Sequence, residues 1–404
     1  MTALLDTKDP LDPLITECPF EYYDELRRSG GVFKVPGRNF YLVGQYDLVM
    51  QVVKTPELFS STSGVQVPSA ADGSHPPRQG EVRTLLTADP PDHRQYRNLV
   101  NKAFSLKRVS EWAPRITEIA DKLIDDICPK GEFEVNHDFA VPLPLMVIIE
   151  ALDLPVGMLR QFKEWSDTIS SLGGMLSEVE MARVQVRRRE FAAWVTSVVA
   201  ERKKHLGDDF ISDLIRARYE GNRSLNDAEL VSIVTQFLVA GNETTTNTIT
   251  SGMLLLLQHP EEMAKVQADF SLIPNLVEEI LRVESPVQTH FRRAVKNTTL
   301  GGVDIPAGAG VGVMYGCANR DEDTFESGNR FDVTRSNASK HLAFAQGIHF
   351  CPGAPLARLE SVIAFERLFS RLRRFELDEF ASELTHLPSF THRALKRVVV
   401  RFVC

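Results

Sequence analysis

The chain has 404 residues, and at about 150 residues per domain this length suggests two or three domains. With 43% hydrophobic and 25% charged residues, the composition is that of a globular protein and excludes collagen-like and low-complexity classes. The formal net charge of −8 argues against nucleic acid or an anionic membrane as a partner. The five widely spaced cysteines argue against a disulfide framework and favour a reducing cytoplasm.

The sequence contains no pattern typical of a signal peptide or a membrane span. Residues 1–20 include Asp6, Lys8 and Asp9, so this stretch lacks the apolar core of a signal peptide. The apolar run at 143–149 is far shorter than the roughly 18 residues that span a bilayer. We therefore expect a soluble, cytoplasmic protein without a membrane anchor.

The first predicted element is a β-hairpin, with strands at 31–35 and 40–43 and a turn between them. Residues 60–92 are rich in Ser, Pro and Gly and predict a long loop, a kind of segment that is usually functional or disordered. Amphipathic helices interrupted by prolines are expected from 93 to about 200.

A long central helix is predicted over about 226–258, with Glu229 completing a capping box at its start. One face repeats apolar residues at steps of three and four, but its middle becomes small or polar at Gly241 and Thr244. Either another helix crosses closely there, or a ligand lies against the helix and needs both space and polar groups. Glu243 favours the ligand, because a carboxylate beside a buried stripe is costly unless it is used or paired.

Strands are predicted again near 299–308, where glycines and a proline suit tight turns, and at 398–403. No internal repeat and no Gly/Ser-rich linker divides the chain. We therefore predict one mainly α (α+β) domain over 1–404, in which a large helical part is joined to small β-sheets. The β-rich part is expected at about 30–60, 295–315 and 385–404.

A loop with a single cysteine precedes the helix-like run that begins at Ala354. A helix N-terminus favours the thiolate form of Cys351, and Gly353 leaves room for a flat ligand to approach. The spacing of Phe344, His349, Cys351 and Gly353 resembles the haem-thiolate loop of the cytochrome P450 superfamily. Such a loop implies haem b (iron protoporphyrin IX), with Cys351 as the axial ligand of the iron.

Further segments resemble this family in the same chain order. The run from Ala240 to Thr245 is similar to its acid–alcohol motif for oxygen activation, and Glu279 with Arg282 is similar to its Glu-x-x-Arg pair. In the family this is a core pair. A surface pair of this spacing would contribute little to stability and occurs commonly by chance, so the match depends on its position before the cysteine loop. The sequence departs from the family pattern at Gly328, where proline is usual, and at Ala345, where glycine is frequent.

The resemblance also implies which residues surround the haem. Two pairs are expected to bind the propionates, one on the helix after residue 92 and one formed by a strand residue and the cysteine loop. These four residues are His93, Arg97, Arg292 and His349. The residues expected to border the ring are Ala240, Gly241, Phe344 and Gly353.

The function implied by the resemblance is O2- and electron-dependent hydroxylation, or a related oxidation, of a small, largely apolar organic substrate. Thr244 would stabilise dioxygen and Glu243 would help to relay protons. A peroxide-driven peroxygenase is an alternative, but peroxide already supplies reduced oxygen and needs no such pair. A non-catalytic haem-thiolate sensor or ligand carrier is another, which would keep Cys351 without needing the pair.

The implied electron donor is a ferredoxin, reduced by NAD(P)H through a ferredoxin reductase, and the protein is expected to be a monomer. Between residues 93 and 110 lie five basic and no acidic residues, which a solvated helix face would explain equally well. They are Arg94, Arg97, Lys102, Lys107 and Arg108. The resemblance places this stretch on the cysteine side of the haem, where an acidic ferredoxin would be steered.

The resemblance places the substrate pocket in five segments whose residues suit an apolar ligand with a few polar anchors. These segments are 60–86, 166–177, 239–243, 287–291 and 387–390. Their ionisable candidates for polar contacts are His290 and Arg78. A steroid, a terpenoid, a fatty acid or a small aromatic molecule fits this composition equally, so the substrate does not follow from it.

Overall fold

The computed structural model of the protein describes residues 3–62, 67–68, 82–103, 106–158, 161–165, 178–219 and 223–404. The mainly helical architecture predicted from the sequence is confirmed. In these parts of the chain, no helix is both long and apolar enough to cross a bilayer. The helices are α1 (Ala3–Thr7), α2 (Pro13–Glu17), α3 (Phe20–Arg28), α4 (Tyr46–Lys54), α5 (Asp92–Ala103), α6 (Leu106–Glu111), α7 (Ala113–Ile127), α8 (Pro142–Ala151), α9 (Glu178–Lys204), α10 (Phe210–Arg216), α11 (Asp227–Gln258), α12 (Pro260–Ala268), α13 (Ile273–Val283), α14 (Tyr315–Ala318) and α15 (Ala354–Arg371).

The strands form small sheets beside the helices. They are β1 (Val32–Lys34), β2 (Phe40–Val43), β3 (Phe59–Ser60), β4 (Glu132–Glu134), β5 (Thr289–Ala294), β6 (Thr298–Leu300), β7 (Val303–Ile305), β8 (Gly310–Met314), β9 (Arg373–Leu377), β10 (Glu383–His386), β11 (Leu395–Arg397) and β12 (Val399–Val403). The largest sheet has the order β1-β2-β8-β5-β3, in which only β2 and β8 run parallel. Strand β12 lies between β4 and β9.

The predicted hairpin and the predicted terminal strand are confirmed as β1–β2 and β12. Strands β4, β5 and β9 lie outside the β-rich regions expected from the sequence, and β10 begins two residues before the last of these regions. Strands β4 and β9 are short and pair with β12. Their strand conformation therefore depends on a partner distant in the chain, which a local sequence pattern does not reveal.

Helix α11 has the predicted start, since the Asn226 and Glu229 side chains each accept the other's backbone N–H at 2.9 Å. A close helix crossing occurs at Gly252, where a Cβ would lie 2.4 Å from the Ile280 side chain of α13. At Gly241 the nearest atom to a Cβ would be a side-chain carbon at 3.8 Å, which is ordinary contact. The close helix crossing therefore explains why residue 252 is glycine, but it does not explain why residue 241 is glycine.

Two of the five cysteines form a disulfide, and the expectation drawn from their spacing has to be corrected for this pair. Cys128, which follows α7, is bonded to Cys404, which follows β12, across 276 positions of sequence. Pairing of β12 with β4 brings these two distant parts of the chain together. Closing a loop of this length restricts the unfolded chain and so stabilises the folded one. Cys18, Cys317 and Cys351 are free.

Candidate cofactor and active site

The cysteine loop folds back on itself between Phe344 and Gly353. The backbone N–H of Cys351 donates to the carbonyl oxygen of Phe344 at 2.9 Å. Gly347 has a φ of 71°, and a Cβ there would lie 2.4 Å from the carbonyl oxygen of Val53 at the end of α4. Because only glycine combines this φ with this close approach, the loop rests against α4 and presents Cys351 just ahead of α15.

The Cys351 sulfur is surrounded by groups with opposing effects on its ionisation. Burial raises the pKa of the thiol, while the backbone N–H groups of Gly353 and Ala354 and the Arg97 guanidinium act to lower it. The donors expected at a helix start are therefore present, but burial outweighs them in the protein alone. Pro352 has no N–H to contribute. A metal ion on the sulfur would reverse this balance, because a coordinating thiol is deprotonated.

Four basic side chains predicted to bind the cofactor come together from three elements. His93 and Arg97 lie one turn apart on α5, Arg292 lies on β5, and His349 lies in the cysteine loop. The rings of His93 and His349 are 4.4 Å apart. Arg97 donates a hydrogen bond to the carbonyl oxygen of Phe350, the residue before the cysteine.

The cluster is strongly electropositive. Burial and the nearby Arg97 lower the pKa of His93 to about 4. Burial together with Arg292, His93 and Arg97 lowers the pKa of His349 to about 3. Asp89 acts in the opposite direction on His93. The two imidazoles are therefore neutral near pH 7, and the two guanidinium groups carry the positive charge.

A buried cation needs a counter-ion, and this requirement tests whether a haem fits. Arg292 is only 3% exposed and donates at 2.9 Å to the carbonyl oxygen of Phe291. Within the described ranges, no ion pair joins Arg97 or Arg292 to a carboxylate side chain. The two propionates of a haem are carboxylates of the required charge, so the cluster and the neighbouring thiol fit this cofactor.

The middle of α11 is open where the sequence becomes small and polar. Ala240 is exposed and Glu243 and Thr244 are partly exposed, whereas Asn242 and Thr245, on another face of the helix, are buried. The Thr244 hydroxyl donates to the carbonyl oxygen of Ala240 at 3.0 Å, which leaves its own oxygen free to accept. Helix α11 is therefore packed on its other faces and accessible at Ala240, Glu243 and Thr244.

Two residues at this site were not found from the sequence. Glu360 on α15 is 2% exposed and hydrogen-bonds the hydroxyl of Thr245, and burial raises its pKa to about 8. Ser61 lies 3.0 Å from His349, Oγ to Nε2, and its N–H donates to Asp89 at 2.9 Å. Neither residue has a distinctive sequence neighbourhood, although an acidic residue on the inner face of the helix after the cysteine is a signal that could have indicated Glu360.

The Glu279–Arg282 pair, which the sequence likened to the family's core pair, is completely buried. Both side chains are 0% exposed and make two hydrogen bonds at 2.8 and 2.7 Å. The other Arg282 donors reach the carbonyl oxygens of Asn319, Gly328 and Arg330 at 2.7–2.8 Å. Arg282 therefore joins α13 to the segment that leads towards the cysteine loop.

The five-charge basic stretch is less basic at the surface than its sequence suggests. Arg97 points inwards, and Arg108 pairs with Asp208 and Asp213 at 3.1 and 2.6 Å. Arg94 and Lys107 are exposed. The side chain of Lys102 lies outside the described residues. The surface therefore displays two clear cations in this stretch.

The predicted pocket segments are described in part. Segment 166–177 and Arg78 lie outside the described residues, as does most of 60–81. Val239, Val287 and His290 are partly exposed, and Leu387 is 52% exposed. Accessible apolar side chains in several segments, with Arg83, Glu243 and His290 as accessible ionisable residues in their described parts, suit an apolar ligand with a few polar contacts.

A loop thiol, an electropositive cluster and an opened central helix, on a mainly helical fold, are typical of haem-thiolate proteins. The sequence profile described as Cytochrome P450 matches residues 148–394. The chain is 37% identical to the putative cytochrome P450 YjiB of Bacillus subtilis (strain 168), over 93% of this chain and 91% of that protein.

Solved structures agree with the sequence comparison. The fold is similar to cytochrome P450 CYP109Q5 from Chondromyces apiculatus, with a TM-score of 0.86, 35% identity and 98% of both chains covered. It is also similar to CYP109E1 from Bacillus megaterium in complex with testosterone, with a TM-score of 0.83, 33% identity and coverage of 95% of this chain and 99% of that one. The chain belongs to the cytochrome P450 family of monooxygenases, oxidoreductases that incorporate O2.

Proposed function

We propose that this protein uses haem b, O2 and electrons from a ferredoxin to hydroxylate a small, largely apolar organic molecule. The thiolate of Cys351 would hold the haem iron, and His93, Arg97, Arg292 and His349 would hold the propionates. Bound haem supplies the activation of O2. The observation that carries the proposal is the pair of guanidinium groups beside a thiol in a loop, at least one of them buried, with no carboxylate partner among the residues that the structure describes.

The residues expected to border the ring fit this placement. On α11, Ala240 is exposed and Gly241 has only ordinary contacts around the position of a Cβ. In the cysteine loop, a Cβ on Gly353 would lie 3.8 Å from the Cys351 sulfur, so glycine keeps that side of the sulfur clear. Phe344 lies under the Arg358 guanidinium at 4.6 Å, which fixes its ring.

Proton delivery is assigned to α11. Thr244 holds its hydroxyl proton on the Ala240 carbonyl oxygen and is able to turn it into the cavity. Glu243, partly exposed on the adjacent position, is the proposed relay to solvent. Glu360 holds a proton at neutral pH, because its pKa is raised to about 8, and its bond to Thr245 connects it with the turn that carries Thr244.

A largely apolar substrate is supported by the side chains that remain exposed in the pocket segments, such as Val239, Val287 and Leu387. The similar CYP109E1 structure is in complex with testosterone, a largely apolar molecule. A panel of steroids, terpenoids, fatty acids and small aromatic molecules, scored by the spin-state shift of the haem, would identify the substrate class.

Replacing Thr244 with Ala is expected to uncouple electron consumption from product formation. Product formed per NAD(P)H oxidised should fall about tenfold or more, since a positioned acid–base group contributes at least that much. NAD(P)H oxidation itself should continue. The measurement is the ratio of product to oxidised NAD(P)H, with Thr244→Ser expected to restore most of it.

Thr248 provides a matched control one turn further along α11. Its hydroxyl makes the same type of bond, to the Thr244 carbonyl oxygen at 2.9 Å, but its side chain is 3% exposed. Thr248→Ala should therefore keep the wild-type ratio. An unchanged ratio in Thr244→Ala would remove the proton-delivery role, and full activity with hydrogen peroxide alone would favour the peroxygenase alternative.

The proposed electron donor is an acidic ferredoxin that docks on the cysteine side, where Arg94 and Lys107 are exposed. The proposal also retains a monomer in the cytoplasm, where NAD(P)H-linked reductases operate. Of the four basic side chains described in this stretch, two are exposed and form no ion pair with a described acid, so steering is expected to be moderate.

The rate of reduction by ferredoxin is expected to fall several-fold when ionic strength rises from about 0.05 M to about 0.5 M, because salt screens surface charges. At low salt, ferredoxin should reduce the Arg94→Glu variant more slowly than it reduces the wild-type protein. Arg189→Glu on α9 makes the same change in net charge at another exposed arginine and should have little effect. A rate independent of salt, or equal effects of the two variants, would contradict docking at this stretch.

A further inference from the structure

His290 lies on β5 two residues before Arg292. Successive residues of a strand point to opposite faces, so His290 and Arg292 share one face of the sheet. Arg292 belongs to the electropositive cluster beside Cys351, since it acts on both His93 and His349. The same strand therefore directs a second polar side chain towards the cofactor site, and His290 is partly exposed there.

The ionisable groups that act on His290 are all basic. Burial lowers its pKa well below the ordinary value, and Arg292, His392 and His349 lower it further. No carboxylate among the described residues is part of this environment. A neutral imidazole with an N–H to donate, close to a guanidinium, is a suitable partner for an anion.

A hydrogen-bond donor without an acceptor lies beside His290. The ring of Tyr315 packs edge-on against His290 at 5.7 Å, and its hydroxyl is buried with no hydrogen-bond partner in the described structure. The side chain is 1% exposed, and Arg292 acts on it electrostatically. A buried hydroxyl without a partner costs free energy, so the wall formed by β5 and α14 lacks an acceptor.

We propose that His290, supported by Tyr315 and Arg292, is a further carboxylate-binding residue of this protein. This inference rests on the proposed haem site. The carboxylate has two possible sources, a haem propionate or the carboxyl group of a fatty-acid substrate, and these differ in what the loss of His290 would disturb. His290 is a positioning residue in the first case and a specificity residue in the second.

The test compares His290→Phe, which removes the donors, with His290→Gln, which keeps one. The control is Thr289→Val, which removes a buried hydroxyl from the opposite face of the same strand, where it contacts Met314 at 3.0 Å. Two measurements on the haem-loaded protein separate the sources. The first is the rate of haem loss to excess apomyoglobin, and the second is the dissociation constant of lauric acid and of its methyl ester.

A propionate contact predicts that His290→Phe loses haem about tenfold faster than the wild-type protein. A hydrogen bond to a carboxylate changes a binding constant by about that factor. A substrate contact predicts about tenfold weaker binding of lauric acid with unchanged binding of the ester. His290→Gln should recover much of either effect. If both measurements in His290→Phe stay within about twofold of Thr289→Val, the proposal is overturned.

Failure of the proposed haem site would be recognised separately. In that case the wild-type protein itself would show no red-shifted Soret band in its reduced carbon monoxide complex. A normal wild-type spectrum combined with unchanged His290 variants would therefore reject the inference about His290 alone.

Discussion

Replacing Arg282 with Ala is expected to lower the free energy of unfolding by about 3–5 kcal/mol, the usual cost of removing one partner of a buried ion pair. The substitution leaves the Glu279 carboxylate buried and removes the donor for three carbonyl oxygens. Glu279 would still accept hydrogen bonds from the Asp332 N–H at 3.0 Å and from the Arg335 guanidinium at 3.1 Å. These two bonds offset part of the lost stability. Since whole domains are stable by about 5–15 kcal/mol, much of the protein should be recovered unfolded or without haem.

The control is an exposed pair with the same residue types and spacing. Arg187 and Glu190 on α9 lie 3.0 Å apart and are 44% and 45% exposed. Arg187→Ala should change stability by about 0.5 kcal/mol or less. Arg282→Lys keeps the charge without the planar fork and should be intermediate. Urea unfolding of all three variants is the measurement, and equal losses for Arg282→Ala and Arg187→Ala would show that the buried network does not support the fold.

Much of the fold and site was predictable because its signals are local. The capping box of α11, the β1–β2 hairpin and the spacing around Cys351 each depend on residues close in sequence. Their order along the chain then indicated a single cofactor. That 1–404 forms one domain, and that each site residue has its assigned role, stay predictions.

What the sequence did not reveal depends on contacts between distant segments. The sequence indicated that Glu279 and Arg282 pair, but not that Arg335 and three backbone carbonyl oxygens join them in a buried network. The raised pKa of Glu360 follows from packing between α11 and α15. The Cys128–Cys404 bond requires β12 to pair with β4. None of these features has a signature at its own position in the chain.

Of the two departures from the family pattern, Gly328 has a structural reason and Ala345 carries backbone strain. At Gly328, a Cβ would lie 2.3 Å from the carbonyl oxygen of Arg320, so the backbone leaves no room for a side chain. Ala345, where glycine is frequent, has a φ of 56°. A left-handed conformation costs a non-glycine residue about 1–2 kcal/mol, so the loop tolerates this strain in the present sequence.

Replacing Cys351 with Ser is expected to abolish monooxygenation while leaving the fold intact. A serine hydroxyl does not give the electron-rich axial ligand that favours O–O cleavage. The reduced carbon monoxide complex should lose its red-shifted Soret band, and product formation should fall on the order of a thousandfold, which corresponds to about 4 kcal/mol in the barrier. The absorption spectrum and the rate of product formation are the two measurements, with Cys18→Ser, at an exposed free cysteine, as the matched control.

A red-shifted band that survived in Cys351→Ser would require another sulfur ligand, and the structure argues against three of the four other cysteines, the fourth being the control Cys18. Cys317 is 0% exposed, donates to the Tyr23 carbonyl oxygen at 3.4 Å, and has its pKa raised to about 12 by burial. Cys128 and Cys404 are bonded to each other. Cys351 alone combines a free thiol with backbone N–H donors and the neighbouring Arg97 and Arg358, so loss of the band in this variant and in no other cysteine variant is the expected result.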